Sequence, residues 1–146
     1  MSPLRLQVFP MDIQELGVEY RDSVIALWSQ AGLTRSWNSP MDDFDRASEG
    51  DSSVVLGALD EGLLVATAMV GHDGHRGWVY YLAVAESRRR TGLGNLMMSE
   101  AEEWVRRNGI HKIQLMVRQD NVNARDFYLH AGYERSDVTV YGRRLD

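Results

Sequence analysis

The chain has 146 residues and a formal net charge of −5, which suits one domain built around one core. The acidic balance argues against a general nucleic-acid binder, and the lack of cysteine excludes disulfides, thiol nucleophiles and cysteine-ligated zinc. No run approaches the ~18 apolar residues of a membrane span, and the first residues lack the long apolar run of a signal peptide. We therefore expect a cytoplasmic enzyme or binding domain that fills residues 1–146.

The residue pattern of the N-terminal third predicts one strand and two helices. Apolar and polar residues alternate in LRLQVF, whereas VEYRDSVIALWSQAG has apolar residues at helical spacing and a natural stop at Gly32. The predicted elements are a strand over 4–9, a helix over 18–32, a loop over 34–43 and a short helix over 42–50.

Three strands follow, joined by tight turns. Residues 53–60 and 63–72 are predicted strands, with a hairpin turn at 60–62. Asp73-Gly74 is a second hairpin signal. Residues 78–84, WVYYLAV, are almost free of polar residues, so we expect a central strand buried on both faces.

The C-terminal part alternates helices and strands. Apolar residues recur at helical spacing from Leu93 to Val105, and Asn108-Gly109 ends that helix. A strand over 112–117, a helix over 121–132 and one or two strands within 133–145 follow. This order predicts an α/β or layered α+β fold, with helices on the faces of a mixed sheet.

The stretch ESRRRTGLGN, residues 86–95, combines three arginines with a Gly-x-Gly pair at a strand-to-helix junction. A helix N-terminus carries unpaired N–H groups and a partial positive charge, which together favour an anion. Gly92 and Gly94 let a phosphate approach the backbone, Arg89 and Arg90 add charge-assisted donors, and Thr91 is a candidate cap. A plain turn with solvated arginines is the alternative interpretation.

Two nucleotide motifs do not fit this stretch. The Walker A motif needs Gly-Lys-Ser/Thr, which the sequence lacks, and the dinucleotide fingerprint needs a third glycine where Met97 stands. The stretch therefore indicates a phosphate without saying which one.

Three motifs in order resemble the core of the GCN5-related N-acetyltransferase (GNAT) family. They are a strand that ends in Leu82-Ala83-Val84, the signature Arg89-x-x-Gly92-x-Gly94, and Asn121-x-x-Ala124-x-x-Phe127-Tyr128 followed by Ala131-Gly132-Tyr133. The resemblance covers about residues 78–134. It implies a mixed, mostly antiparallel sheet of six or seven strands that splays at the centre and is flanked by about four helices. RSWNSP (35–40) and DGHRG (73–77) are also similar to the YpeA-type bacterial subgroup.

The resemblance implies acetyl-CoA as cosubstrate and no metal. The pyrophosphate would lie on the backbone amides of 89–94, and the pantetheine arm would pair with β-strand backbone like an added strand. The N–H of Val84 would polarise the thioester carbonyl. Asn121 matches a coenzyme-contacting position but is equally an ordinary helix cap. The implied coenzyme residues are Leu82, Val84, Arg89, Arg90, Thr91, Gly92, Leu93, Gly94 and Asn121.

The resemblance implies direct acetyl transfer to an amine, with Tyr128 as general acid; simple packing beside Phe127 is the alternative. Strand alternation puts Trp78, Tyr80 and Leu82 on one face and Val79, Tyr81 and Ala83 on the other. Many family members carry Glu or His where this chain has Trp78 and Tyr80. A water chain past Tyr80 could carry the proton instead, or a group from elsewhere could accept it. The candidates for that group are Asp73, His75 and Glu134.

The acceptor is expected to be a primary amine of a small molecule or a protein. The resemblance assigns the acceptor side to the loop after the first helix, with Trp37 and Asn38, and Asp73 and His75 are candidates beside it. His72 and His75 lack a third metal ligand, so we read HDGHRG as a turn. A catalytically degenerate acyl-CoA-binding module and an unrelated phosphate binder are the competing hypotheses. An open C-terminal strand edge leaves a homodimer possible.

Overall fold

The computed structural model describes residues 11–146, so the predicted strand over 4–9 lies outside the described residues. The chain divides into two compact units, one that ends at Leu115 and one that spans 116–146, and each is described by itself. Unit 1 contains the strands β1 (Asp12–Glu15), β2 (Ser53–Asp60), β3 (Leu63–His72), β4 (Gly77–Val84) and β5 (Ile113–Leu115), and the helices α1 (Arg21–Gln30), α2 (Pro40–Glu49) and α3 (Leu93–Arg107). Unit 2 contains the helix α4 (Val122–His130).

The five described strands form one sheet in chain order, β1-β2-β3-β4-β5. The first four pair antiparallel, and β5 pairs parallel to β4. The parallel pair is short, because it joins only 77–79 to 113–115. Among the described residues of unit 1, no strand pairs with β4 on this side beyond Val79, so the sheet is open there.

The tight turns form where the sequence predicts them. Glu61 and Gly62 both have positive φ, 50° and 84°, which is the conformation of a two-residue type I′ hairpin turn between β2 and β3. Helix α3 packs very closely against the start of β4. A Cβ added to Gly77 would lie 2.6 Å from a Val105 methyl, so this position has no room for a side chain.

The core between the sheet and helices α1 and α2 is apolar and closed. Trp28 and Phe44 are fully buried in it, and their rings lie 6.5 Å apart. The buried residues of this cluster are Leu16, Val24, Leu27, Trp28, Phe44, Ala47, Val55 and Ala83.

Several expectations about the elements are corrected by the structure. Residues 133–146 form no strand, and their apolar side chains at Val138, Val140 and Tyr141 are exposed. Alternation alone does not make a strand, because a strand exists only through backbone pairing with a neighbour. The sheet of the described residues therefore has five strands, not six or seven. One of them, β1, was not predicted.

The expectation that β4 is buried on both faces is also wrong. Tyr80 is 45% exposed, whereas the middle of β2 and β3 is buried. The reason is that β4 forms the wall of a cleft. Helix α2 begins at Pro40, two residues before the predicted start, because the Ser39 hydroxyl accepts the N–H of Asp42 and caps it. Among the described residues, no helix is long and apolar enough to cross a membrane.

Candidate functional site

Strand β4 carries a β-bulge at the middle of the candidate site. Tyr80 pairs with Met69 and Ala83 pairs with Thr67, so Tyr81 and Leu82 together oppose the single residue between these partners. Tyr81 takes a φ of +54°, which is uncommon for a residue with a bulky side chain. The predicted alternation of faces along 78–83 is therefore wrong past Tyr80, because an extra residue shifts the pleat.

The bulge is stabilised by contacts among Trp28, Thr67 and Tyr81. The Trp28 ring stacks on the Tyr81 ring at a centroid distance of 3.9 Å and an angle of 12°. Trp28 Nε1 donates a 3.0 Å hydrogen bond to Thr67 Oγ1, and the Thr67 hydroxyl donates to the Tyr81 carbonyl at 3.2 Å. Left-handed backbone at a non-glycine residue costs about 1–3 kcal/mol and persists where the surroundings fix it. These three side chains supply that constraint.

The bulge turns Tyr80 and Tyr81 toward one cleft of about 590 Å³, within the usual range of ligand sites. The Tyr81 hydroxyl donates a 2.7 Å hydrogen bond to Asp43 Oδ2. Burial, and then this contact with the Asp43 carboxylate, raises the pKa of Tyr81, so its phenol stays protonated. The cleft is lined by Leu33, Asn38, Asp43, Arg46, Ala47, Ser53, Met69, Val70, Gly71, Tyr80 and Tyr81.

One predicted acceptor-side residue and the predicted water-relay residue contribute to this cleft. Asn38 and Tyr80 line it, whereas Trp37, 54% exposed, is not among the lining residues. Burial, and then the charge of Asp73, raises the pKa of Tyr80. Tyr80 is therefore protonated at neutral pH and can pass a proton only through hydrogen bonds to water.

Asp73 and His75 lie in the turn between β3 and β4, outside the cleft lining. Asp73 Oδ1 accepts the backbone N–H groups of Arg76 at 2.8 Å and His75 at 2.9 Å. These hydrogen bonds lower the pKa of Asp73 to about 2, which makes its carboxylate a weak base. The Asp73 side chain therefore stabilises the turn.

The loop between β4 and α3 presents unpaired donors. Gly92 is the residue before α3, with φ +84° and no side-chain cap. The N–H groups of residues 92–95 have no acceptor anywhere in the described chain, and the first backbone bond of the helix is from Leu96 N to Gly92 O. Four N–H groups at a helix N-terminus form an anion-binding site.

The three arginines of the loop differ in what they contact. Arg88 Nη1 lies 2.6 Å from Asp60 Oδ2 and anchors the loop to β2. The side chains of Arg89 and Arg90 have no hydrogen-bond or ion-pair partner within residues 11–146, so both guanidinium groups remain available to an anion. The Thr91 hydroxyl donates to the carbonyl of Arg88. Thr91 therefore does not cap α3, because its side chain closes the preceding turn instead.

The N–H of Val84 points toward the opened side of the sheet. Val84 lies opposite Ala66, and the next residue, Ala85, donates its N–H to Val65 O at 2.8 Å. Antiparallel pairs alternate between bonded and non-bonded, so Val84 and Ala66 form a non-bonded pair. The Val84 N–H therefore faces away from β3, on the side where β5 no longer pairs.

A second, smaller cavity of about 180 Å³ lies beside this edge. It lies between the end of α1 and the start of the loop that precedes α3. Its lining residues are Leu27, Gln30, Ala31, Val84, Glu86 and Arg89. Two residues with predicted coenzyme contacts, Val84 and Arg89, thus border one cavity.

In unit 2, α4 carries the remaining predicted site residues. Asn121 Oδ1 accepts the N–H of Ala124 at 3.1 Å and caps the helix, which confirms the capping interpretation. Tyr128 is half-buried and packs edge-on against Phe127 and Tyr133, with ring centroids 5.0 and 5.8 Å apart. Burial raises the pKa of Tyr128 to about 12, so the phenol is protonated at neutral pH.

Asp43 and Arg46 are charged cleft residues that no sequence motif indicates. The signal was present in Ser39-Pro40, a helix start that puts positions 43, 46 and 47 on one face. No local pattern, however, indicates that this face meets the β4 bulge. Within the described residues, no three His, Asp or Glu side chains are grouped to hold a metal ion.

Comparison with known proteins agrees with the motifs. A sequence model of the Acetyltransferase (GNAT) family matches residues 18–133. The fold is similar to AAC(6')-Iy in complex with the bisubstrate analogue CoA-S-monomethyl-acetylneamine, at a TM-score of 0.79 and 14% identity over 93% of this chain and 99% of that one.

Two further solved structures share this fold. The aminoglycoside antibiotic 6'-N-acetyltransferase AAC(6')-IG from Acinetobacter haemolyticus has a TM-score of 0.77 and 15% identity, over 93% of this chain and 100% of that one. A predicted acetyltransferase with acetyl-CoA from Clostridium acetobutylicum has a TM-score of 0.75 and 14% identity, over 91% and 96%.

Proposed function

Because the chain belongs to the GNAT acetyltransferase family, we propose that it is an acetyl-CoA-dependent N-acetyltransferase that transfers acetyl directly to a primary amine of a small molecule or protein. The observation that carries the proposal is the loop before α3. The N–H groups of 92–95 and the guanidinium groups of Arg89 and Arg90 have no partner among the residues that the structure describes, and together they fit a pyrophosphate.

The residues present fit coenzyme A at two further places. The Val84 N–H faces the opened edge of β4, where an extended pantetheine arm can pair as an added strand beside Leu82. Val84 and Arg89 both line the cavity of about 180 Å³. Leu93 and Gly94 take part through their backbone N–H groups. Asn121 can offer coenzyme A its side-chain NH₂ group, because its Oδ1 already accepts from the N–H of Ala124.

When bound, acetyl-CoA supplies an acetyl thioester. The Val84 N–H donates to the thioester carbonyl oxygen and stabilises the negative charge that develops there as the amine attacks. The amine nitrogen bonds to the acetyl carbon, the carbon–sulfur bond breaks, and sulfur leaves with the electron pair. One amine proton is released in the process.

Tyr128 donates a hydrogen bond to the leaving sulfur in this proposal. Burial keeps its phenol protonated, with a pKa of about 12, so the donor is present throughout the neutral range. A thiol resembling cysteine has a pKa near ~8.5, so complete proton transfer from Tyr128 is uphill and hydrogen bonding is its main contribution.

The amine proton leaves through water in the cleft past Tyr80. An alkyl amine with a pKa near ~10 is mostly protonated at neutral pH and must lose a proton before it attacks. Tyr80 lines the cleft and is protonated itself, so it orients water instead of acting as the base. Contacts of the acceptor with Trp37, Asp73 and His75 stay predictions.

A catalytically degenerate acyl-CoA-binding module is the second candidate. One observation favours it: β4, which has Trp78 and Tyr80, carries no Asp, Glu or His that could act as a base at neutral pH. Two solved structures of similar fold are named aminoglycoside N-acetyltransferases, which supports the enzyme instead.

The test is to incubate the protein with acetyl-CoA and a panel of amines and peptides, and to measure free thiol together with N-acetyl product. The proposal expects both in equal amounts, and a strong reduction in the Tyr128→Phe variant. Calorimetric binding of acetyl-CoA with no product on any acceptor would support the degenerate module. No binding would contradict both candidates.

A further inference from the structure

The cleft beside the β4 bulge contains two opposite charges within one turn of α2. Asp43 and Arg46 both line it, and Asp43 Oδ1 lies 3.8 Å from Arg46 Nη1. Among the uncharged polar groups of the lining, Ser53 Oγ already donates to Ala47 O at 2.9 Å. The charged chemistry that this cleft offers a ligand is therefore one carboxylate beside one guanidinium.

The carboxylate is held in place before any ligand arrives. Asp43 Oδ2 accepts from the Tyr81 hydroxyl, and Tyr81 is stacked on Trp28 in the core. Asp43 is 32% exposed, so part of its carboxylate is accessible from the cleft. A fixed, partly desolvated carboxylate is suited to bind an ammonium group.

The guanidinium is held only loosely. The Arg46 side chain is 76% exposed, and its 3.8 Å separation from Asp43 exceeds the 2.7–2.9 Å of a charge-assisted hydrogen bond. Exposed ion pairs of this kind contribute little to stability. Arg46 can therefore give its planar fork of donors to the carboxylate of a ligand at small cost.

The formal charge of these two residues is zero, which argues against several acceptor classes. A polyamine would bring a second cation close to Arg46 with one carboxylate to satisfy both amines. A simple anion would lie against Asp43. A ligand that carries an ammonium and a carboxylate side by side satisfies both residues at once.

The remaining walls of the cleft are apolar. Leu33, Ala47, Met69 and Val70 line it together with the faces of the two tyrosines. Burial of an aliphatic or aromatic group against such walls is favourable, at about 25 cal/mol per Å² of apolar surface. The walls thus suit the side chain of an apolar amino acid.

We infer that the acetyl acceptor is an amino carboxylate of the amino-acid class. Its α-ammonium binds to Asp43, its carboxylate to Arg46, and its apolar side chain to the cleft walls. This inference rests on the proposed acetyltransferase function. After the nitrogen loses one proton, it still has an N–H to donate to Asp43, which directs the nitrogen lone pair away from that carboxylate.

The test compares leucine with isoamylamine, the same side chain without the carboxylate. We expect kcat/KM for leucine to exceed that for isoamylamine by about tenfold to a hundredfold, the worth of one charge-assisted contact. In Arg46→Gln this ratio should fall toward one. The matched control is Arg106→Gln on α3, which removes an exposed arginine paired at 2.7 Å with the residue three positions earlier. The ratio should not change there.

A second measurement keeps the two proposals separable. Calorimetry with coenzyme A present measures leucine and isoamylamine binding without requiring turnover. Tighter leucine binding that Arg46→Gln and Asp43→Asn both weaken supports the inference even if no product forms, a result that would count against the acetyltransferase alone. Turnover of isoamylamine or putrescine with a leucine ratio of one or below overturns the inference and leaves the acetyltransferase standing.

Discussion

The hydroxyl of Thr67 is expected to carry more stability than its methyl group. Thr67 and Trp28 are both fully buried, and the hydroxyl accepts from Trp28 Nε1 and donates to the Tyr81 carbonyl. Thr67→Val keeps the shape of the side chain but leaves the indole N–H without its acceptor. A buried unsatisfied donor costs about 1–3 kcal/mol, so we expect unfolding free energy to fall by about 2–3 kcal/mol.

The control is Thr67→Ser, which keeps both hydrogen bonds and removes one methyl. Loss of a buried methyl costs about 1 kcal/mol. Urea unfolding followed by tryptophan fluorescence measures both variants, since Trp28 reports on this part of the core. A valine variant as stable as the serine variant would refute the hydrogen-bond chain as the constraint on the bulge. The bulge prediction also requires that Thr67→Val lowers acetyl-CoA affinity more than Thr67→Ser, because it releases the backbone that leads to Val84.

Three further predictions concern the loop, the helix of unit 2 and the hairpin turn. Gly92 and Gly62 share a φ of +84° and open space around an added Cβ, so alanine at either position should lower stability by a similar ~1–2 kcal/mol through backbone strain. In calorimetry, only Gly92→Ala should weaken coenzyme A binding. Equal dissociation constants in the two variants would contradict the loop assignment. Tyr128→Phe should lower the thiol-release rate by about tenfold to a hundredfold, the worth of one hydrogen bond to a charged group, with coenzyme affinity kept. Tyr141→Phe, at a 91% exposed position, should match the wild type, and a fully active Tyr128→Phe enzyme would remove the donor from the scheme. The pKa of Asp73 falls from 3.8 to about 2 on folding, so the stability that this carboxylate adds is present above pH 3.8 and is lost as pH falls toward 2. In urea titrations, the difference in free energy of unfolding between wild type and Asp73→Asn should therefore narrow across that window. A difference independent of pH would argue against the turn hydrogen bonds.

Much of the sheet could be predicted from the sequence because its signals are local. Residues 53–60 and 63–72 are strands at the predicted bounds, and Glu61-Gly62 makes the turn between them. The strand predicted within 133–145 failed for a physical reason. Pairing is a long-range property, and no period in the sequence says whether a partner edge is present.

The candidate site was predictable in its loop and not in its cleft. The Gly-x-Gly and arginine pattern predicts an anion site from the sequence alone, because backbone freedom and charge both follow from the residue types. The bulge at Tyr81 has no such signal, and strict alternation places that residue on the wrong face. Asp43 meets Tyr81 across 38 positions of sequence, so its place in the cleft depends on packing.

The most direct measurement is a single reaction mixture of the protein, acetyl-CoA and leucine, in which free thiol and N-acetylleucine are quantified together over time. The account predicts that the two products rise in equal amounts, and that thiol release without leucine stays at the rate of the protein-free control. Thiol release that leucine does not accelerate, with no N-acetylleucine in this mixture and no N-acetylated product in parallel mixtures with the amine panel, would contradict the assignment of this chain as an N-acetyltransferase.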